Sequence, residues 1–343
     1  MTDLSRLVNH QARLASRPRG LPVPENWSFT EEPVADPGEG GVVVQALMLS
    51  LDPAMRGWMN EGRSYIAPVA IGAVMRAGGV GRVIASNNPA FAVGEHLGGG
   101  LGVQEYRAFR ADEVKRAGLA PIDPRLAPLE KWLNPLGMPG MTGYFGLLEV
   151  GKPEAGETVL VSGAAGAVGQ MVGQVAKIKG CRAVGIAGGK DKCDFVVEEL
   201  GFDACIDYKS GGVREGLKAH CPDGVDVYFD NVGGEILDAA LARITRGARI
   251  VLCGAISQYN NTTPVQGPKN YLSLLVNRAR MEGIVVFDWA DRFPEAIREI
   301  AGWMAAGKLR SREDVVEGGV RAFPEALNRL FSGGNFGKLV LRV

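Results

Sequence analysis

Residues 157–169 read Glu-Thr-Val-Leu-Val-Ser-Gly-Ala-Ala-Gly-Ala-Val-Gly, and no other stretch restricts the fold of this chain as strongly. An apolar, β-branched run enters Gly163-x-x-Gly166-x-x-Gly169, and a helix-period stretch opens directly behind it. Glycines at this spacing permit a tight turn, close approach of backbone to a pyrophosphate, and close packing of helix on strand. The helix start then offers unpaired N–H groups and a partial positive charge to phosphates. In a chain with 48 glycines among 343 residues, the pattern alone would be a weak signal. The strand before it and the helix after it set it apart from an ordinary turn. No GxxxxGK[ST] sequence competes with it.

The flanks carry the same rhythm. Strand-like runs at 158–162, 182–187, 225–230 and 249–254 alternate with helix-like stretches at 170–179, 193–200 and 235–244, which predicts a doubly wound α/β sheet of parallel strands. Residues 1–137 read differently: β-branched runs at 41–50 and 79–86 lie between turn clusters such as Asp36-Pro37-Gly38. Helices are expected near 293–306 and 324–330, and a last strand at 338–343. The expected division is a β-rich domain over 1–137, completed by about 307–343, and a dinucleotide-binding domain over 138–306.

Composition narrows the function classes. Basic and acidic residues balance at 38 each, which gives no general pull toward nucleic acid or an anionic membrane. No apolar run reaches the ~18 residues of a membrane span. The polar start shows no signal core, so a cytoplasmic protein is expected. The five cysteines, Cys181, Cys193, Cys205, Cys221 and Cys253, form no CxxC pair, which argues against a disulfide framework or a cysteine-rich zinc site.

Two further places at the carboxyl edge of the expected sheet draw attention. The second strand ends small and neutral at Gly188-Gly189, followed by Lys190, Asp191 and Lys192. Space plus a lysine suits the 2′-phosphate of NADP; Asp191 would be the ribose acid of an NAD site if the strand end were displaced by a residue or two. Asp230-Asn231-Val232-Gly233-Gly234 and Cys253-Gly254-Ala255-Ile256-Ser257-Gln258-Tyr259 follow the next two strands and read as a cofactor rim, although Asp230 equally suits a helix N-cap.

Several stretches together carry a family resemblance: LSLDPAMRG (49–57), LGMPGMTGYFGLLEVG (136–151), SGAAGAVG (162–169), AGGKDKC (187–193), LGFDACIDYK (200–209), FDNVGGE (229–235), CGAISQYN (253–260), MEGIVV (281–286) and NFGKLVLRV (335–343). With them the chain resembles the zinc-independent medium-chain dehydrogenase/reductases, in the branch of prostaglandin, 2-alkenal and curcumin reductases; LASRPRGLPVPENW (14–27) is most similar to the curcumin reductase type. The resemblance implies a GroES-like catalytic domain joined to a Rossmann domain, with NADPH as reductant. It implies cofactor contacts at Thr142, at Gly166, Ala167, Val168 and Gly169, at Lys192 and Tyr208 for the 2′-phosphate, at Asn231, along 253–259, at Ile284, Val285 and Val286, and at Asn335. Tyr259 matches the tyrosine the family places beside the substrate carbonyl. One departure stands out: Ala54 occupies a position where many members have tyrosine.

The zinc enzymes of the wider superfamily use Cys, His and Glu ligands. Here the first 180 residues hold no cysteine, and only His10, His96 and His220 exist, His96 being expected in a turn or at the surface. No metal is expected. Hydride addition to the β-carbon of an α,β-unsaturated ketone or aldehyde then needs little more than donors for the carbonyl oxygen. Tyr259 is the first candidate donor and Tyr65 the second, while Arg56, Tyr65 and Met138 are candidate substrate contacts, although an arginine after Asp-Pro equally suits bracing its loop. Quinone reduction on the same scaffold and a non-catalytic NADPH-binding role stay open. The family implies a homodimer, with residues 277–286 as the expected edge.

Overall fold

A computed structural model describes residues 3–343, which divide into two units. One comprises the chain up to Leu133 with Glu313–Asn335 and Leu339–Val343; the other comprises Asn134–Arg312 with Phe336–Lys338.

The second unit is built on six strands, Thr158–Ser162, Arg182–Ala187, Ala204–Asp207, Val225–Asp230, Ile244–Leu252 and Arg280–Gly283. All neighbouring pairs are parallel, and the spatial order is third, second, first, fourth, fifth, sixth. Val159, Leu160 and Val161 are wholly buried, as expected of a strand covered on both faces. The order reverses between the first and fourth strands, which opens a crevice at their carboxyl ends.

Three strands, the first, second and fourth, lie where the sequence predicts them, but the fifth runs over Ile244–Leu252 rather than 249–254. In the structure Gly247 adopts φ +80°, and the register against the fourth strand shifts, so the strand passes through a bulge. Its far end stops at Leu252 because the amides of Cys253 and Gly254 both turn to the Asp230 carbonyl, at 2.9 and 3.1 Å. Ala204–Asp207 and Arg280–Gly283 escape the sequence reading: each has four residues, and the latter is a charged edge strand.

Helix Ala167–Ile178 buries Gln170 and Gln174, one turn apart on one face. The Gln174 amide exchanges two 2.8 Å bonds with the backbone of Arg310, and Gln170 accepts from the Arg312 amide at 2.9 Å. This anchors the chain through Arg312 to the second unit, beyond the expected limit near 306. At the other boundary, Asn134 accepts from the Gly140 amide at 2.9 Å, so the unit begins a few residues before 138.

The first unit pairs Val8–Leu14 with Trp27–Pro33 in an antiparallel hairpin. Its larger sheet runs in the order Glu313–Val316, Lys338–Arg342, Val42–Ser50, Gly78–Ser86, His96–Gly100, Ala120–Ile122, with Tyr106–Phe109 also paired to Val42–Ser50. Val42, Val44, Leu49, Leu97, Leu101, Phe109, Phe323 and Leu341 lie in one buried core. His96 opens a strand opposite Arg82, in place of the expected turn. Among the described residues no helix is long and apolar enough to cross a membrane.

Candidate functional site

The glycine loop has the geometry its sequence implies. Gly163 turns the chain at φ +61°, the Ala164 amide returns to the Ile186 carbonyl at 3.0 Å, and the helix opens at Ala167 with Gly166 as its extended cap. A Cβ on Gly169 would sit 2.2 Å from the Gly163 carbonyl oxygen, so only glycine lets the helix start lie against the turn. Ala167 and Val168 form the first turn of that helix. Gly337 bridges to Gly166, bringing the segment just after Asn335 beside the loop.

A second cradle lies at the end of the second strand. The strand stops at Ala187, where the sequence places it, so Asp191 stands in the following helix, Lys190–Asp194, and is exposed. The Tyr208 ring lies across Gly188: a Cβ there would come within 2.7 Å of the phenol oxygen. The Asp207 carboxylate accepts the Gly189 amide at 2.7 Å and the Lys209 amide at 2.9 Å, and these bonds hold its pKa below the ordinary aspartate value. Lys190 pairs with Asp194 at 2.5 Å, and Lys192, two residues further along the same helix, is half-buried. Asp207 was not singled out in the sequence, because a four-residue strand gives no readable period; Gly188 was read only as space at the strand end and Cys205 only as one of five cysteines. Cys193 and Cys205, 12 residues apart, are joined as a disulfide, a pairing that the lack of any CxxC spacing did not suggest.

Asp230 is the hub between first and fourth strands. Wholly buried, its Oδ1 accepts from Ser162 Oγ (2.9 Å), Tyr228 OH (2.7 Å) and the amides of Val232 (3.0 Å) and Gly233 (2.9 Å). Burial and this carboxylate push the Tyr228 phenol well above its usual pKa. Asp230 is thus neither rim group nor N-cap but a brace for the turn that follows. The only sequence hint was its place two residues after Tyr228 on one strand face. Asn231 donates to the Ser162 carbonyl at 2.7 Å and ties the same two strand ends.

The segment from Cys253 to Tyr259 is laced to this turn. The Ile256 amide donates to Asn231 O, and Ser257 donates to Val232 O through both its amide (3.2 Å) and its hydroxyl (2.6 Å). The Gln258 amide closes on Ala255 O at 2.8 Å. Tyr259 folds back so that its hydroxyl oxygen accepts the Ala255 amide at 3.1 Å. Burial pushes the Cys253 thiol up to about 12. Just past the sixth strand Ile284 donates its amide to Leu252 O at 3.1 Å, Val285 follows, and Val286 opens the short helix Val286–Arg292; the side chains of Ile284 and Val286 are buried. Thr142 lies in helix Met138–Phe145, its hydroxyl donating to Met138 O at 2.8 Å, and Met138 is exposed at the helix start.

In the first unit, Tyr65 is exposed and accepts the Trp58 indole N–H at 3.2 Å. Arg56 is a correction. It is buried, and its guanidinium donates to Gly20 O (2.9 Å), Pro18 O (3.1 Å) and Asn60 Oδ1 (2.6 Å), with burial lowering its pKa. It braces the loop rather than presenting a charge to a substrate. Ala54 opens the short helix Ala54–Trp58 that carries it. Among the described residues, no three His, Cys, Asp or Glu side chains converge as a metal site.

The chain matches two family models, one described as the N-terminal domain of oxidoreductase over residues 10–117, the other as zinc-binding dehydrogenase over residues 167–302. The NADPH-dependent curcumin reductase of Escherichia coli (strain K12) is 43% identical over 340 residues, 98% of this chain and 97% of that protein. The NADP(+)-dependent 2-alkenal reductase of Nicotiana tabacum is 43% identical across 89% of this chain and 88% of that protein. The crystal structure of CurA from Vibrio vulnificus in complex with NADPH superposes with a TM-score of 0.91 at 41% identity, covering 97% of this chain and 99% of that one.

Proposed function

The chain belongs to the medium-chain dehydrogenase/reductases, in the branch of the curcumin, 2-alkenal and prostaglandin reductases, and from that premise we propose that it reduces the activated carbon–carbon double bond of α,β-unsaturated ketones or aldehydes without a metal. It is an NADPH-dependent oxidoreductase. The residues fit that cofactor: a Cβ on Gly169 would close the phosphate cradle, and one on Gly188 would displace Tyr208. In this reading Gly166 to Gly169 hold the pyrophosphate, Lys192 and Tyr208 take the 2′-phosphate, and Thr142, Asn231, residues 253–259, Ile284 to Val286 and Asn335 line the remainder. Bound NADPH supplies a hydride for the β-carbon of the substrate.

The observation that carries the proposal is Tyr259. Its loop is laced to the turn that Asp230 fixes, so its phenol is held at the carboxyl edge of the sheet rather than on a mobile loop. Negative charge collects on the carbonyl oxygen as the β-carbon accepts hydride, and a pre-positioned O–H donor stabilises it there. The α-carbon takes its proton from water or from the same phenol. Tyr65 is the second donor candidate, and Met138 an apolar contact. A catalytic zinc needs three protein ligands; among the described residues no group of three His, Cys, Asp or Glu side chains is placed to supply them, which supports the metal-free reading.

The proposal includes a cytoplasmic location and a homodimer. At the outer edge of the sheet, Arg280–Gly283 leaves one side of its backbone unpaired, beside helix Leu272–Asn277 with Leu275 75% and Val276 68% exposed. A second copy pairing there covers both; Leu275→Glu should convert a dimer to a monomer on size-exclusion chromatography with light scattering.

Nicotinamide absorbance decides the reaction. Loss of NADPH with a simple enone, but not with its saturated ketone, is expected. Loss only with a quinone, or only with the saturated ketone, would overturn the reading.

A further inference from the structure

The disulfide lies at a telling place. Cys193 follows Lys192 on helix Lys190–Asp194, and Cys205 lies on the third strand, three residues before Tyr208. Their Cα atoms are 5.2 Å apart, within the range a bridge spans without backbone movement. Both residues are partly exposed, so a small oxidant or reductant reaches them. The bridge therefore ties together the two elements that carry Lys192 and Tyr208. Asp207 adds a further tie, its carboxylate accepting the amide of Gly189, the cap of that helix.

The remaining cysteines are poor competitors for oxidation. Burial raises the Cys181 and Cys221 thiols to about 11, so at neutral pH they stay protonated and unreactive, while Cys253, partly exposed just past the fifth strand, has its thiol raised by desolvation to about 12. The third strand lies four positions across the sheet from the fifth, roughly 19 Å at the usual ~4.8 Å strand spacing. A change at Cys193–Cys205 thus reaches the 2′-phosphate end and leaves the Tyr259 end alone.

We propose that Cys193 and Cys205 form a reversible dithiol–disulfide site, closed by peroxides, that sets how tightly the enzyme holds the 2′-phosphate of NADPH. The inference rests on the assignment of Lys192 and Tyr208 to that phosphate. One thiolate attacks a peroxide oxygen, giving a sulfenic acid and releasing hydroxide, which takes up the proton the thiol lost. The second thiol then attacks the sulfenic sulfur, the S–S bond forms, and water leaves. With hydrogen peroxide, two thiols lose two electrons and two protons, and the peroxide becomes two waters. A dithiol reductant reverses the step. Closed, the bridge pins the helix of Lys192 to the strand of Tyr208 and removes the ordering that binding would otherwise require. By linkage, bound NADPH makes the disulfide harder to reduce by the same factor.

The full-length protein is treated with hydrogen peroxide or with a phosphine reductant, then analysed in two ways. Alkylation and peptide mass spectrometry read the bridge. Equilibrium titration of NADPH and NADH by nicotinamide fluorescence reads affinity without turnover. Peroxide should link the peptides of Cys193 and Cys205 and raise NADPH affinity about fivefold, at the low end of typical coupling, with NADH unchanged. Cys193→Ser and Cys205→Ser should each bind NADPH as the reduced parent does and ignore peroxide. Alkylation of both thiols after peroxide, or equal NADPH affinity in the two states of the parent, overturns the switch while leaving the cofactor assignment standing. Failure to bind NADPH in either state removes the assignment and the switch together.

Discussion

Gly188→Ala separates cofactor recognition from folding. Gly188 has no positive φ, so alanine meets no backbone strain there. Its Cβ would lie 2.7 Å from the Tyr208 hydroxyl and 2.8 to 2.9 Å from two ring carbons, against ~3.5–4.0 Å for comfortable contact. The ring must retreat by about 1 Å or swing away. Tyr208 is 45% exposed, so it can move into solvent at little cost, and thermal stability should stay within about ±0.5 kcal/mol, as for ordinary surface changes. The 2′-phosphate then loses one hydrogen bond to a charged group, worth ~1.5–3 kcal/mol, or roughly 10- to 150-fold in NADPH affinity. NADH lacks that phosphate and should bind as before. Fluorescence titration of both nucleotides, beside a thermal melt, reads the three quantities together. Equal weakening of NADPH and NADH would refute the assignment of Tyr208, and unchanged binding of both would refute the argument from contact distance.

Tyr259→Phe removes the proposed carbonyl donor and should lower kcat for enone reduction by up to 10²–10³, with NADPH affinity unchanged; turnover equal to the parent would take Tyr259 out of the mechanism. Asp230→Ala strips the acceptor from four donors, and each one left buried costs ~1–3 kcal/mol, so urea unfolding should show at least about 3 kcal/mol lost, while Asp230→Asn, which keeps an acceptor, should lose less. His10 bonds Glu105 through Nδ1 at 2.6 Å and faces Glu31 at 3.4 Å, with Arg321 opposing; the Glu105 bond is the main cause of its raised pKa. A raised folded-state pKa makes this contribution full below the unfolded value of ~6.5 and lost as pH climbs through the folded value. The melting-temperature gap between the parent and His10→Gln should therefore be widest in mild acid and close in alkali, and a gap that widens with pH would contradict the pairing.

What the sequence displayed and what it hid follow from how each feature is encoded. The first, second and fourth strands are buried on both faces and read as largely apolar runs bounded by glycine or polar residues, so their ends could be read to the residue, and with them the places where Gly166, Lys192 and Asn231 stand. The third and sixth strands are short, the sixth exposed and charged, and an edge strand guarded against further pairing loses the pattern that would announce it. Everything that depended on the third strand went unread with it: Asp207 holding Gly189, Tyr208 lying on Gly188, and Cys205 meeting Cys193. Arg56 stayed open for another reason. An arginine after Asp-Pro looks the same in sequence whether its guanidinium faces a ligand or braces the loop, since two of its three acceptors are the carbonyls of Gly20 and Pro18, 36 and 38 residues away, which no side-chain pattern records. Asp230 shows both limits at once. Its position was plain from the strand, but its work, gathering Ser162, Tyr228 and two amides on one oxygen, belongs to the crevice between two strands that only folding brings together, and that same convergence is what holds the loop of Tyr259 in place.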